Sequence, residues 1–153
     1  MPRPSFVDVG PALTDKDIDG AEAELGVTFP EPYRRFLLQT NGGRPVPHCV
    51  GDHPIHTFYG LRPDPAYDLL DRTRSHWECR LFANVIPICD TVFGDRIYLG
   101  VRGRRCAGRL YFYDHEYDRL MRGVRYLKGD VDKRIYHLDE FLDSFDPPDE
   151  DNT

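Results

Sequence analysis

Apolar residues recur with helical spacing at two places near the start of the chain. Ile18, Ala21 and Leu25 fall at i, i+3 and i+7, while Glu22 and Glu24 lie off that face. Thr14 precedes this run as an N-cap, with Asp17 three residues later as a short-armed capping box and Asp15, Asp17 and Asp19 at the positive end of the helix dipole. Gly26 is placed to end the helix in the left-handed conformation. The pattern predicts a helix over Asp15–Leu25. After the short extended link Val27-Thr28-Phe29, Pro30 opens a second helix, Pro30–Thr40, whose inner face is Tyr33, Phe36, Leu37 and Thr40. Asn41-Gly42-Gly43 stops it.

Downstream the pattern shortens. Residues 44–54, rich in Pro, Gly and His, read as a loop, and Ile55–Tyr59 as a strand. Pro63 and Pro65 precede a third helix from about Ala66 to Arg80, with Ala66, Leu69, Leu70, Thr73 and Trp77 on one face. Three β-type runs follow: Val85–Cys89, Arg96–Val101 and Arg109–Tyr113. Their links, Gly94-Asp95 and Gly103 to Gly108, are too short for crossover helices, so the runs form an antiparallel meander. Residues 115–136 show no clear period beyond a candidate strand at Arg125–Leu127. Leu138, Phe141, Leu142 and Phe145 predict a closing helix before Pro147-Pro148. The expected fold is α+β and single-domain: an antiparallel-rich mixed sheet with two N-terminal helices, a middle helix and a C-terminal helix packed around it. Residues 1–12 are expected to form an N-terminal extension, 13–146 the domain and 147–153 an acidic C-terminal tail.

Composition narrows the function classes. The 153 residues are 40% hydrophobic and 30% charged, an ordinary globular balance with no run long enough for a membrane-spanning helix. The start of the chain lacks the apolar core of a secretory signal, which favours the cytoplasm. The net charge of −6 is uneven. Seven acids and no base lie between Asp139 and Thr153, leaving 20 basic against 19 acidic side chains elsewhere. Such an end suits solubility or a basic partner and disfavours nucleic acid. Cys49, Cys79, Cys89 and Cys106 form no CxxC and are expected as free thiols, with Cys89 buried.

Candidate chemistry is sparse. None of Ser5, Ser75 and Ser144 lies in a GxSxG elbow, and there is no Walker A sequence, GxGxxG or HExxH. His48, Cys49, His53 and His56 concentrate metal-capable side chains, but a structural zinc site usually needs two paired spacings and here there is one cluster interrupted by Pro54. Arg96, Arg102, Arg104, Arg105 and Arg109 form a basic run on or near one hairpin, suited either to phosphate contacts or to protecting a sheet edge. No enzyme activity, cofactor or bound metal is expected.

The segment Leu13–Gly43 carries Glu24-Leu25-Gly26-Val27, then Phe29-Pro30-Glu31, Tyr33-Arg34-Arg35-Phe36-Leu37-Leu38 and Asn41-Gly42-Gly43. It resembles the N-terminal signature of the SUKH superfamily, which includes bacterial immunity proteins and a fungal cell-wall-synthesis regulator. Ile86-Pro87-Ile88 with Gly94-Asp95 and Ile97-Tyr98-Leu99, then Tyr111-Phe112-Tyr113-Asp114-His115-Glu116, are similar to the family's central hairpin and aromatic strand, and Leu138–Phe145 to its closing helix. The resemblance implies a non-enzymatic binding protein, an immunity protein that neutralises a cognate toxin such as a nuclease. The alternatives are a scaffold or regulatory module of the same fold, or a small metal-binding protein or enzyme. Most motif positions serve the fold, so the partner face must come from residues the fold does not consume: Asp90, Asp95, Asp114, Glu116, Tyr117 and Asp118. Residues 48–56 and 117–136 depart from the pattern and are candidates for individual specificity.

Overall fold

The computed structural model describes residues 3–79 and 83–146. The end of the third predicted helix at Arg80 and the acidic tail 147–153 lie outside them.

Both N-terminal helices form where the periodicity places them. Helix α1 spans Asp15–Leu25, and its capping box is complete: Asp17 N donates to Thr14 Oγ1, and Thr14 N donates to the Asp17 carboxylate. Gly26 closes it at φ 68°, a conformation that costs a Cβ-bearing residue energy. Helix α2 spans Glu31–Gln39 with Pro30 as its N-cap. Ile18, Ala21, Leu25, Tyr33, Phe36 and Leu37 are all buried in one core. A polar tie absent from the hydrophobic pattern fixes the pair on its outer side. Arg34 of α2 reaches Asp15, Asp19 and Glu22 of α1 at 3.1, 2.8 and 3.0 Å, while the other Glu22 oxygen accepts from Phe29 N.

The chain then builds β2 (Arg44–Val46), β3 (Cys49–Val50) and β4 (His53–Phe58), so the stretch expected to be a loop holds two short strands. Strand β1 (Ser5–Val7) pairs antiparallel with β2, and Phe6 packs edge-on against Phe36 and Phe58 with ring centroids 5.6 and 5.5 Å apart. Residues 5–7 are thus integrated into the packing. Helix α3 spans Leu69–Cys79. The meander follows as β5 (Val85–Thr91), β6 (Arg96–Gly100) and β7 (Leu110–Asp114). The ambiguous segment resolves into β8 (Arg119–Arg122), β9 (Val124–Lys128) and β10 (Val131–Ile135), before the short helix α4 (Leu138–Leu142).

The main sheet is six-stranded and antiparallel, in the order β3-β4-β5-β6-β7-β8, with bulges at Ile55/Thr57 and Pro87/Cys89. Strands β9 and β10 form a separate hairpin. Phe58, Cys89, Ile97, Leu99, Leu110 and Phe112 face the core shared with α1, α2 and α4. Alternate residues Tyr98 and Tyr113, with Val85, form a second cluster. Helix α3 covers that opposite face: Trp77 Nε1 donates to Val85 O and the His76 ring lies 4.5 Å from that of Tyr98.

Candidate protein-interaction face

The register of the sheet puts three hairpin turns at one end: 51–52 between β3 and β4, 92–95 between β5 and β6, and 115–118 between β7 and β8. Val92 N donates to Pro54 O, joining the first turn to the second. Asp95 joins the second to the third. Its Oδ1 accepts from His115 N at 3.1 Å and pairs with His115 Nδ1 at 2.7 Å. That hydrogen bond, with the charge of Asp95, Glu116 and Asp114 nearby, holds the His115 pKa above its ordinary value.

The clamped turns carry large apolar side chains into solvent. Val92 is 56% exposed, Phe93 67% and Tyr117 77%. Around them, Glu116 and Asp118 are exposed and Asp114 is half-buried. The result is a cluster of aromatic and aliphatic surface with carboxylates at its edge, the composition of a protein contact in which a few anchors supply binding energy and charges supply orientation.

The expected partner residues divide on this geometry. Asp95, Asp114, Glu116, Tyr117 and Asp118 come together at the turn end, but Asp95 is committed to His115, Asp114 Oδ1 accepts from Glu116 N, and Asp118 accepts a hydrogen bond from Tyr113 OH. Asp90 belongs to strand β5, not to the turn. Its carboxylate accepts from Tyr59 OH at 2.8 Å on the face under α3. Sequence reasoning missed Val92 and Phe93. The available signal was a pair of large apolar residues immediately before Gly94-Asp95, at a point where the strand had ended.

Other chemistry is dispersed. His53 Nε2 lies 2.7 Å from Arg125 O, and His56 Nδ1 2.7 Å from Thr57 Oγ1. The described cysteines Cys49, Cys89 and Cys106 are free, and burial pushes the Cys89 thiol well above its ordinary pKa. Asp95, Asp114 and His115 place one potential ligand atom each within 4.8 Å of one another, an approach their ion pair and turn hydrogen bonds already account for. Within the basic run, Arg102 is spent on the carbonyls of Ala83, Leu25 and Gly26 and on the Trp77 ring. Arg104 and Arg105 remain exposed, in the β6–β7 connection at the opposite end of the sheet. An open cleft of about 750 Å³ beside α1 mixes Lys16, Asp17, Glu24 and Arg62 with apolar walls and gathers no reactive group.

The fold is a small single-domain α+β arrangement, and its turn end has the composition of a protein contact. The chain belongs to the SMI1 / KNR4 family (SUKH-1), whose model matches residues 12–145. Membership is consistent with an immunity or regulatory interaction domain. No curated protein and no solved structure matches the chain. Among the described residues no helix is long and apolar enough to cross a membrane.

Proposed function

We propose that this protein is a non-catalytic immunity protein of the cytoplasm, which binds a cognate protein toxin and neutralises it through the turn end of the sheet. The observation that carries this is the exposure of Val92, Phe93 and Tyr117 on turns locked together by Asp95 and His115. Exposed apolar side chains occur elsewhere too, at Val7, Val46 and Val131, but among the described residues the turn end alone adds large exposed aromatic rings, which a covering partner accounts for. The acidic surround favours a basic partner surface such as a nuclease substrate channel, with the negative net charge of the chain assisting encounter.

The test is co-purification from native cells with mass spectrometry of the bound protein, followed by toxicity rescue and binding kinetics with Phe93→Ala and Tyr117→Ala. The expected result is a toxin whose activity is blocked by the wild-type chain and less well by either variant. A regulatory partner without toxic activity would move the protein to the scaffold branch of the family. A toxin that binds both variants as tightly as wild type would overturn the assigned face.

A further inference from the structure

Helix α3 meets the sheet through a polar interface. Thr73 and His76 are buried on its inner side, Tyr98 OH lies 3.0 Å from His76 Nδ1, and Tyr59 OH donates to Asp90. At one edge of this interface is a cavity of about 290 Å³ lined by Pro65, Asp71, Arg72, Ser75 and Arg96. Two guanidinium groups border it, and neither forms an ion pair with a described carboxylate. Arg72 lies over the Tyr59 ring, 4.6 Å from its centroid, and gives one long hydrogen bond of 3.4 Å to Pro65 O. Its Nε is buried without a partner. Arg96 is half-buried; burial works against its charged form, and the nearby Tyr59, Tyr98 and Asp90 oxygens outweigh that effect and hold its pKa above the ordinary value.

A half-buried guanidinium with unspent donors carries a desolvation cost that an acceptor of opposite charge removes. Two such forks and a serine hydroxyl match the several oxygens of a tetrahedral oxyanion, the geometry that arginine serves better than lysine. Two carboxylates stand nearby. Asp90 Oδ2 accepts from Tyr59 OH while its Oδ1 is buried without a hydrogen-bond partner, and Asp71, which lines the cavity, is exposed with its backbone N–H bound to Asp68. We infer that the cavity between α3 and β6 is a binding site for a phosphate-type oxyanion, held by Arg72, Arg96 and Ser75. The ligand is either the free ion or the phosphate of a small phosphomonoester. The site lies on the face away from the main core, with Arg96 directly following the turn residue Asp95.

The experiment is calorimetric titration of the full chain with inorganic phosphate and, separately, glycerol 3-phosphate, in chloride at matched ionic strength. The expected result is saturable binding of at least one probe. Tighter glycerol 3-phosphate binding identifies an ester as the ligand, and equal or tighter phosphate binding identifies the free ion. Arg72→Gln and Arg96→Gln are each expected to weaken binding about ten-fold or more, as befits loss of a charge-assisted pair. Because Arg96 also supports packing, Ser75→Glu is the decisive variant. It places a carboxylate at an exposed position and is expected to abolish binding while leaving the melting temperature in chloride unchanged. Arg104→Gln, at the far end of the sheet, is expected to bind as wild type. Failure of both probes to saturate, or binding that persists in Ser75→Glu, overturns the inference.

Discussion

At the scale of single residues, Asn41 shows how one side chain does more than its local sequence announces. Beside Gly42 and Gly43 it looks like a helix stop. In the fold it is buried, with Nδ2 donating to Pro11 O and Oδ1 accepting from Leu61 N at 2.9 and 2.7 Å. It staples the segment before α1 to the segment before α3. Asn41→Ala strips both bonds and leaves buried backbone groups unpaired, so a loss of about 2–4 kcal/mol is expected in chemical denaturation. His115 makes a different prediction. Its folded pKa lies above the ordinary value because Asp95 accepts from it. The pair's contribution to stability is therefore fully present below about pH 6.5 and disappears as pH rises through the elevated folded value. A histidine-resolved NMR titration is expected to show His115 titrating above the ordinary range in wild type and falling toward it in Asp95→Asn.

Among elements, legibility follows burial. Helices α1 and α2 were readable because their caps and apolar faces are encoded within a few residues, and the same holds for β5–β7, whose residues are largely buried. Of strands β8–β10 only the middle of β9, Arg125–Leu127, was readable. In β10 only Ile135 is buried and in β9 only Val124, so no two-residue alternation exists to read. Their pairing runs through backbone bonds around Gly129-Asp130. Strands β1 and β2 are three residues each and contain or adjoin proline, which hides a strand whose partner lies some forty residues away. Two variants test the legible part. Thr14→Ala, which removes the α1 cap, is expected to cost about 1 kcal/mol. Phe36→Ala, at a side chain only 4% exposed, is expected to cost about 3–5 kcal/mol by the cavity it leaves. Equilibrium unfolding checks both, and a loss below about 1 kcal/mol for Phe36→Ala would contradict its place in the core.

For the whole molecule, charge and apolar surface have separate kinetic roles. The acidic residues of the turn end were visible in the sequence as residues the core did not need. The anchors Val92 and Phe93 were not, because an apolar residue near a strand reads as core until the turn is seen to project it outward. Against the cognate toxin, Phe93→Ala and Tyr117→Ala are each expected to raise dissociation about ten-fold or more, the effect of losing a central aromatic. Glu116→Lys should do so too where that carboxylate meets a cation. Removal of 147–153 should instead slow association modestly and flatten its salt dependence, since charge outside the contact acts through long-range attraction. Surface-immobilised binding at low and high salt separates the two effects.

The polar seam under α3 also bears on how the protein opens. Its sheet-facing side combines Leu69 with Thr73 and His76, whereas α2 offers Tyr33, Phe36 and Leu37. Water can replace hydrogen bonds along such a seam, but it cannot replace lost apolar contact. The backbone amides of α3 should therefore exchange their protons with deuterated solvent through a partial opening that leaves β5, β6 and α2 closed. Protection factors for α3 should fall below those of the central strands. Oxyanion occupancy at Arg72 and Arg96 would narrow that gap, making this partial opening a reporter for what sits beneath the helix.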